Sequence, residues 1–395
     1  MGKQFGQMYS GDNRLEKSIT PIPETQPVNR AARRLKDESL VKWAYSLPKI
    51  DLHRHLEGSL RLQTLAEIAQ EHGLDLPSYD VEHLRPYVQV TNDPPDHRVF
   101  LEKFRFMHRF YTSRETLQRV VREAIIDAAL DNIHYLELRF NPYAQANVYG
   151  FPMADVVEWV LESTAQAQTE TGTRTCLIIT LPREKSLKIA QEMVEIAISY
   201  YGPLLRGIDL VGDEASFPAE KFIEPIQRAR QAGLNVTIHA GEWANSNSVY
   251  TALKYLDAER IGHGIRAIED SSVVQMLRER QVTLEVCPTS NVQTGVIPAL
   301  TQHPLPDLYN LRIPVTLNTD DPSVSTTTLS DEYVSAIEGI GMKKHQLYRM
   351  LGYAVSAAFI PPEEKPQLRQ LFRTALTAFP GALEAFDAAT GDGGL

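Results

Sequence analysis

Only two cysteines, Cys176 and Cys287, occur in 395 residues. Two thiols cannot build a disulfide framework or a cysteine-based zinc cluster. So sparse a usage fits a reducing, cytoplasmic setting. No apolar run reaches the roughly 18–20 residues that span a bilayer, so no membrane association is expected. The opening MGKQFGQMYSGDNRLEKS has no apolar stretch of the kind that marks a secretory signal, and MGKQFG lacks the Ser or Thr of a myristoylation site. Basic charge is also short: 40 Lys and Arg stand against 50 Asp and Glu, a net charge of −10. A nucleic-acid surface needs clustered Lys and Arg, so no nucleic-acid partner is expected. Fixed-period repeats and Gly/Ser linkers are missing as well. What remains, at 43% hydrophobic residues, is the composition of a globular enzyme with a substantial core.

Residues 1–35, with the Pro-rich piece TPIPETQP, read as an irregular N-terminal arm, and 36–395 as a single domain. From residue 48 short β-branched runs alternate with helical patterns. Eight strands are expected, at 49–56, 132–142, 175–181, 206–214, 234–242, 260–264, 282–291 and 313–322. Several are apolar on both alternations, as parallel strands covered on two faces are. Between them RLQTLAEIAQEHG, MADVVEWVLESTAQAQTETG and PAEKFIEPIQRARQAG carry helical spacing and end in Gly73, Gly172 and Gly233. Glycine suits the left-handed turn that stops a helix. The alternation predicts an α/β fold, a (β/α)₈ TIM barrel, with an open doubly wound sheet as the rival. The stretch 57–131 is too long for one helix. It contains HRVFLEKFRFMHRFY and reads as a helical insertion over the barrel mouth.

A barrel keeps its chemistry at the C-terminal ends of its strands. The first strand ends in His53 and His55, one residue apart and therefore on one face. The fifth ends in His239-Ala-Gly-Glu242, the sixth in His263 and the eighth in Asp320-Asp321-Pro322. Imidazoles with a carboxylate suit Zn²⁺ or another borderline divalent ion. Asp321 or Ser323 could instead cap the following helix, yet two carboxylates directly after an apolar strand are costly unless paired. His72, His83, His97, His303 and His345 read as loop or solvated residues. His108 and His134 have no partner spacing, and Cys287 reads as a buried small residue of the seventh strand.

Taken together and in order, PKIDLHRHLEGS, LVGDE, TIHAGE, RIGHGI, CPTSNVQTG and LNTDDP resemble the adenosine deaminase family over most of residues 48–340. The resemblance implies one Zn²⁺ held by His53, His55, His239 and Asp320, and hydrolytic deamination of a purine at C6 by a metal-bound hydroxide. It implies that Glu242 protonates N1, that His263 and Asp320 orient and deprotonate the water, that Asp321 faces N7, and that the backbone N–H of Gly212 approaches N3. The fourth strand offers no Lys to bridge two metals, which favours a mononuclear site.

One position departs from the pattern. Adenosine-specific members usually carry Asp where this chain has Glu57, the residue placed at the ribose 5′-hydroxyl. The expected substrate is a small-molecule purine nucleoside, adenosine or 2′-deoxyadenosine. The alternatives are adenine deaminase, aminodeoxyfutalosine deaminase and, from another class, a catalytically silent nucleoside-binding barrel.

Overall fold

The computed structural model describes residues 37–390, so the expected arm at 1–35 lies outside the described residues. Helix α1 (Glu38–Ser46) leads into β1 (Lys49–His55). The insertion follows as α2 (Leu62–Glu71), α3 (Val81–Val88), α4 (His97–Met107) and α5 (Arg114–Leu130). Then come β2 (Ile133–Phe140), α6 (Pro142–Asn147), α7 (Met153–Thr171), β3 (Arg174–Pro182), α8 (Leu187–Ser199) and β4 (Leu205–Val211). The second half alternates α9 (Ile223–Gln231), β5 (Asn235–Ala240), α10 (Ser246–Lys254), β6 (Arg260–His263), α11 (Ser271–Arg280) and β7 (Thr283–Val286). After it come α12 (Pro288–Gln293), α13 (Leu305–Asn310), β8 (Val315–Leu317), α14 (Pro322–Ser325) and α15 (Leu329–Ser335). The last elements are α16 (Lys344–Ala357), α17 (Lys365–Leu376) and α18 (Ala382–Thr390).

Each strand pairs in parallel with the next, in the order β1 to β8. The seam between β8 and β1 is closed past the end of β8. The backbone N–H of His55 donates to the Asp320 carbonyl and that of Asp320 to the His53 carbonyl, both at 2.8 Å. This is the (β/α)₈ barrel. Apolar residues such as Leu52, Leu138, Ile179, Ile208 and Ile261 are fully buried in its strands. Among the described residues no helix is long and apolar enough to cross a membrane.

Gly172 ends α7 in a left-handed conformation, φ 77°, and Gly73 and Gly233 also have positive φ. The expected strand 282–291 is corrected. β7 stops at Val286, and Pro288 starts α12 at its first helical position, where its missing N–H costs nothing. The polar tails of the other motifs likewise leave the sheet: β4 ends before Gly212, β5 before Gly241 and β8 before Asn318.

Candidate active site

Strand ends bring the side chains together. His53 and His55 stand on β1, His239 on β5, His263 at the end of β6 and Asp320 on the loop after β8. Ligand atoms of His53, His239, His263 and Asp320 all lie within 4.8 Å of one another. His55 joins them, its Nε2 3.3 Å from both Asp320 Oδ1 and His239 Nε2. His53 Nε2 is also 3.3 Å from Asp320 Oδ1. Ligands about 2.0–2.1 Å from a tetrahedral Zn²⁺ stand about 3.3 Å from each other. His263 lies further out, its Nε2 3.9 Å from Asp320 Oδ2 and 3.5 Å from Glu242 Oε2. His263 and Asp320 both have left-handed backbones, φ 57° and 61°. Such strain at non-glycine residues, on the order of 1–3 kcal/mol each, persists only where the surroundings enforce it.

The outer nitrogens of two histidines are engaged. His53 Nδ1 lies 2.8 Å from Glu285 Oε2, and His239 Nδ1 lies 3.0 Å from Asp209 Oδ2. A carboxylate on Nδ1 fixes the proton there and turns the Nε2 lone pair inward, as metal-ligating histidines require. His53 Nε2 is buried and has no hydrogen-bond partner. The donor set therefore fits a borderline divalent cation.

Asp209 and Glu285 are a finding that the motif reading did not anticipate. Both are fully buried. Arg139 joins them, donating to Asp209 Oδ2 at 2.5 Å and to Glu285 Oε2 at 2.9 Å. Against the cost of burial, Arg139 and Arg260 hold Glu285 well below the usual carboxylate range. The signal was present: a charged residue inside an apolar strand has to be paired.

Glu242 sits on the loop after β5, buried, with Oε1 unpartnered. Burial, then the charges of Asp320 and Glu214, push its pKa well up. A carboxyl so placed holds its proton more tightly than an exposed one. Glu214, also unanticipated, pins the loop. Its carboxylate accepts the backbone N–H groups of Gly241, Glu242, Trp243 and Ala244 at 2.6–3.1 Å. Asp321 is a second raised carboxyl, through burial and the neighbouring Asp320. It precedes α14 without a side-chain capping bond, and its Oδ1 is unpartnered. Gly58 makes room for it, since a Cβ there would come 1.9 Å from Asp321 Oδ1.

His55, His239, Glu242, His263, Asp320 and Asp321 line a cavity of about 330 Å³. Phe100, Leu101, Phe104 and His108 of the insertion form one wall, and Gly212, Trp243 and Glu57 lie elsewhere in the lining. Gly212 has φ 101°, and a Cβ there would meet the Glu184 carboxylate at 2.4 Å. Glu57 Oε1 accepts from the Asn141 backbone N–H at 2.7 Å and from Gln145 Nε2 at 2.9 Å. Burial raises Glu57 to about 7.

Three histidines have surroundings that the sequence reading did not anticipate. His303 is buried, not solvated. His97 stacks on Trp243, ring centroids 4.7 Å apart, and His108 lines the cavity, lowered to about 4 by burial and by Lys185. His72, His83 and His345 are exposed. Cys287 is buried, and burial pushes its thiol well up, as for an inert thiol.

The adenosine deaminase family model matches residues 48–375. The chain belongs to the adenosine deaminase family. The adenosine deaminase of Edwardsiella ictaluri is 38% identical over 322 residues, 82% of this chain and 96% of the relative. Among solved structures, the adenine deaminase of Arthrobacter aurescens superposes with a TM-score of 0.78 at 28% identity, covering 84% of this chain and 99% of the other. Arabidopsis ADAL complexed with GMP superposes at 0.76 and 29% identity, covering 85% and 98%.

Proposed function

We propose that this chain deaminates adenosine and 2′-deoxyadenosine hydrolytically, giving the 6-oxopurine nucleoside and ammonia. Family membership supports the activity. The observation that carries the mechanism is a buried, raised carboxyl, Glu242, 3.5 Å from His263 and beside a cluster of imidazoles and Asp320. We assign a single Zn²⁺ to His53, His55, His239 and Asp320; when bound it brings the pKa of a coordinated water to about 7.

The residues supply the rest. A purine offers its ring nitrogens as acceptors, so a pocket that reads it needs donors. Glu242 O–H donates its proton to N1, which makes C6 electrophilic. Asp321 O–H faces N7, and the Gly212 N–H approaches N3. The water oxygen adds to C6, oriented by Asp320 and His263, and its proton passes to Asp320. The C6–N bond then breaks as the proton held by Asp320 passes to nitrogen, which leaves as ammonia, and the C6 hydroxyl gives its proton back to Glu242. Glu57 keeps Oε2 for the group beyond N9, because Oε1 is held by Asn141 and Gln145. The two cysteines are unpaired and buried, which supports a reducing, cytoplasmic setting.

The test is a substrate panel on zinc-loaded protein: adenosine, 2′-deoxyadenosine, adenine and aminodeoxyfutalosine, followed by loss of the 6-aminopurine absorbance. Adenosine and its deoxy form are expected to turn over best. A preference for adenine or aminodeoxyfutalosine overturns the nucleoside assignment and leaves the ring chemistry standing. Glu242→Gln is expected to retain zinc and substrate binding and to lose about 10²–10⁴-fold in kcat, the usual worth of a positioned acid. Undiminished turnover in that variant removes Glu242 from its role.

A further inference from the structure

His303 lies on the loop before α13, away from the cavity lining, and no motif drew attention to it. We infer that His303 and Asn291 form a buried relay that holds His263 as the Nε2–H tautomer, so that His263 works as a hydrogen-bond donor and Asp320 alone takes the proton from water. The inference rests on the assignment of His263 to the deamination site and deepens it.

The chain of bonds fixes each proton in turn. The backbone N–H of Leu305 can only donate, and it points at His303 Nδ1 from 3.1 Å. Nδ1 is therefore bare, and the ring's proton is on Nε2. Burial, which lowers His303 to about 4, keeps the ring neutral. Nε2 lies 3.3 Å from the Asn291 side-chain oxygen, so Asn291 receives on Oδ1. That sets the amide, and its Nδ2 faces His263 Nδ1 at 3.2 Å. An NH₂ group can only donate, so His263 Nδ1 is an acceptor and the ring proton sits on Nε2. That nitrogen points toward Glu242 Oε2 and Asp320 Oδ2.

The three side chains are all buried, at 5%, 0% and 1% exposure for His303, Asn291 and His263, so water cannot substitute for a missing partner. A His263 held this way has no lone pair on Nε2. It cannot ligate a metal through that nitrogen, which is why the fourth ligand is His55, and it cannot accept the water's proton there. It can donate to the oxygen that becomes negative as the tetrahedral carbon forms. His303 touches none of the reacting atoms; it is a positioning residue.

The deciding measurement is made on the parent protein. Histidine is labelled with nitrogen-15 in the zinc-loaded full chain, and the His263 ring is assigned by its loss in His263→Ala. The expected pattern is a bare Nδ1 and a protonated Nε2. A protonated Nδ1 overturns the relay, whatever the enzyme turns over. An Nε2–H pattern in a protein inactive on every purine overturns the proposed function and leaves the relay intact.

Variants supply the kinetic arm. His303→Leu keeps bulk and removes both polar atoms. It is expected to lower kcat about 10- to 100-fold, as loss of an outer partner does, with KM and zinc content unchanged. His303→Gln retains a donor toward Asn291 and is expected to restore kcat to within about threefold of the parent. A His303→Leu variant with the parent's kcat overturns the relay, as does a His303→Gln variant as slow as His303→Leu.

Discussion

At the scale of single residues the site is a set of carboxyl groups separated by their surroundings. Asp320 faces three imidazoles, and they hold it well below the ordinary range despite burial. Glu242 and Asp321 lie beside Asp320 and are pushed the other way. Base and acid are thus told apart by neighbours, since the residue types are almost the same. Glu332 offers a cleaner view of the same physics, away from the metal ligands. It is buried, accepts from the Thr289 backbone N–H at 3.3 Å and from Thr327 Oγ1 at 3.1 Å, and is raised by burial to about 7. Its folded pKa exceeds the unfolded value of 4.5. Between those two values the folded chain holds a proton that the unfolded chain has released. Stability therefore falls as pH rises through that window, by up to about 3 kcal/mol from this group. Glu332→Gln removes the ionisation. Its melting temperature, relative to the parent, is expected to be higher at pH 8 than at pH 5. A difference that does not change with pH would show that folding leaves the Glu332 pKa unshifted.

At the scale of elements, β1, β5, β6 and β8 deliver their chemistry at or just past their C-terminal ends, and this made much of the site legible in the sequence. His53, His55, His239, His263 and Asp320 stood where apolar runs ended. Their outer partners were harder to read. Asp209 and Glu285 lie within strands, where a lone carboxylate reveals its partner only once β2, β4 and β7 are placed around Arg139. His303 follows a short polar stretch, and nothing local shows that the chain folds under α12 and buries it. The insertion was read as helices over the mouth, and α4 does supply a wall through Phe100, Leu101 and Phe104. Phe104 lines the cavity and packs against Phe100, ring centroids 5.7 Å apart. Covering the base with a Phe ring is worth about 1.5–3 kcal/mol. Phe104→Ala is accordingly expected to lower kcat/KM by about tenfold or more, mainly through KM, with zinc content unchanged. A fall confined to kcat would mean that the helix acts on the chemistry and not as a wall.

At the scale of the whole molecule, the proposed metal ligands and the closure of the barrel share residues. Asp320 offers its carboxylate to the cluster, and its backbone makes the two backbone–backbone hydrogen bonds between the loop after β8 and β1. His53, whose carbonyl accepts one of those bonds, and His55, whose N–H donates the other, are the proposed ligands from the other side of the seam. His239 anchors the same centre to β5, and Arg139 on β2 ties it to β4 and β7. A cation at this point therefore crosslinks strands that are distant in sequence. Without it, inward lone pairs about 3.3 Å apart face one another across a buried space. Zinc removal by a chelator is expected to abolish turnover and to lower the melting temperature. The stabilisation lost is on the order of 4 kcal/mol where free zinc stands about 1,000-fold above its dissociation constant. Affinity should weaken on acidification, because the imidazoles must be neutral to ligate. The argument also says where the loosening occurs. Hydrogen exchange should accelerate first in peptides covering 50–58 and 315–323, at the seam, while β3, which supplies no ligand, keeps its protection. Exchange that rises equally around the barrel would mean that the metal stabilises the fold globally and not through the seam that Asp320 closes.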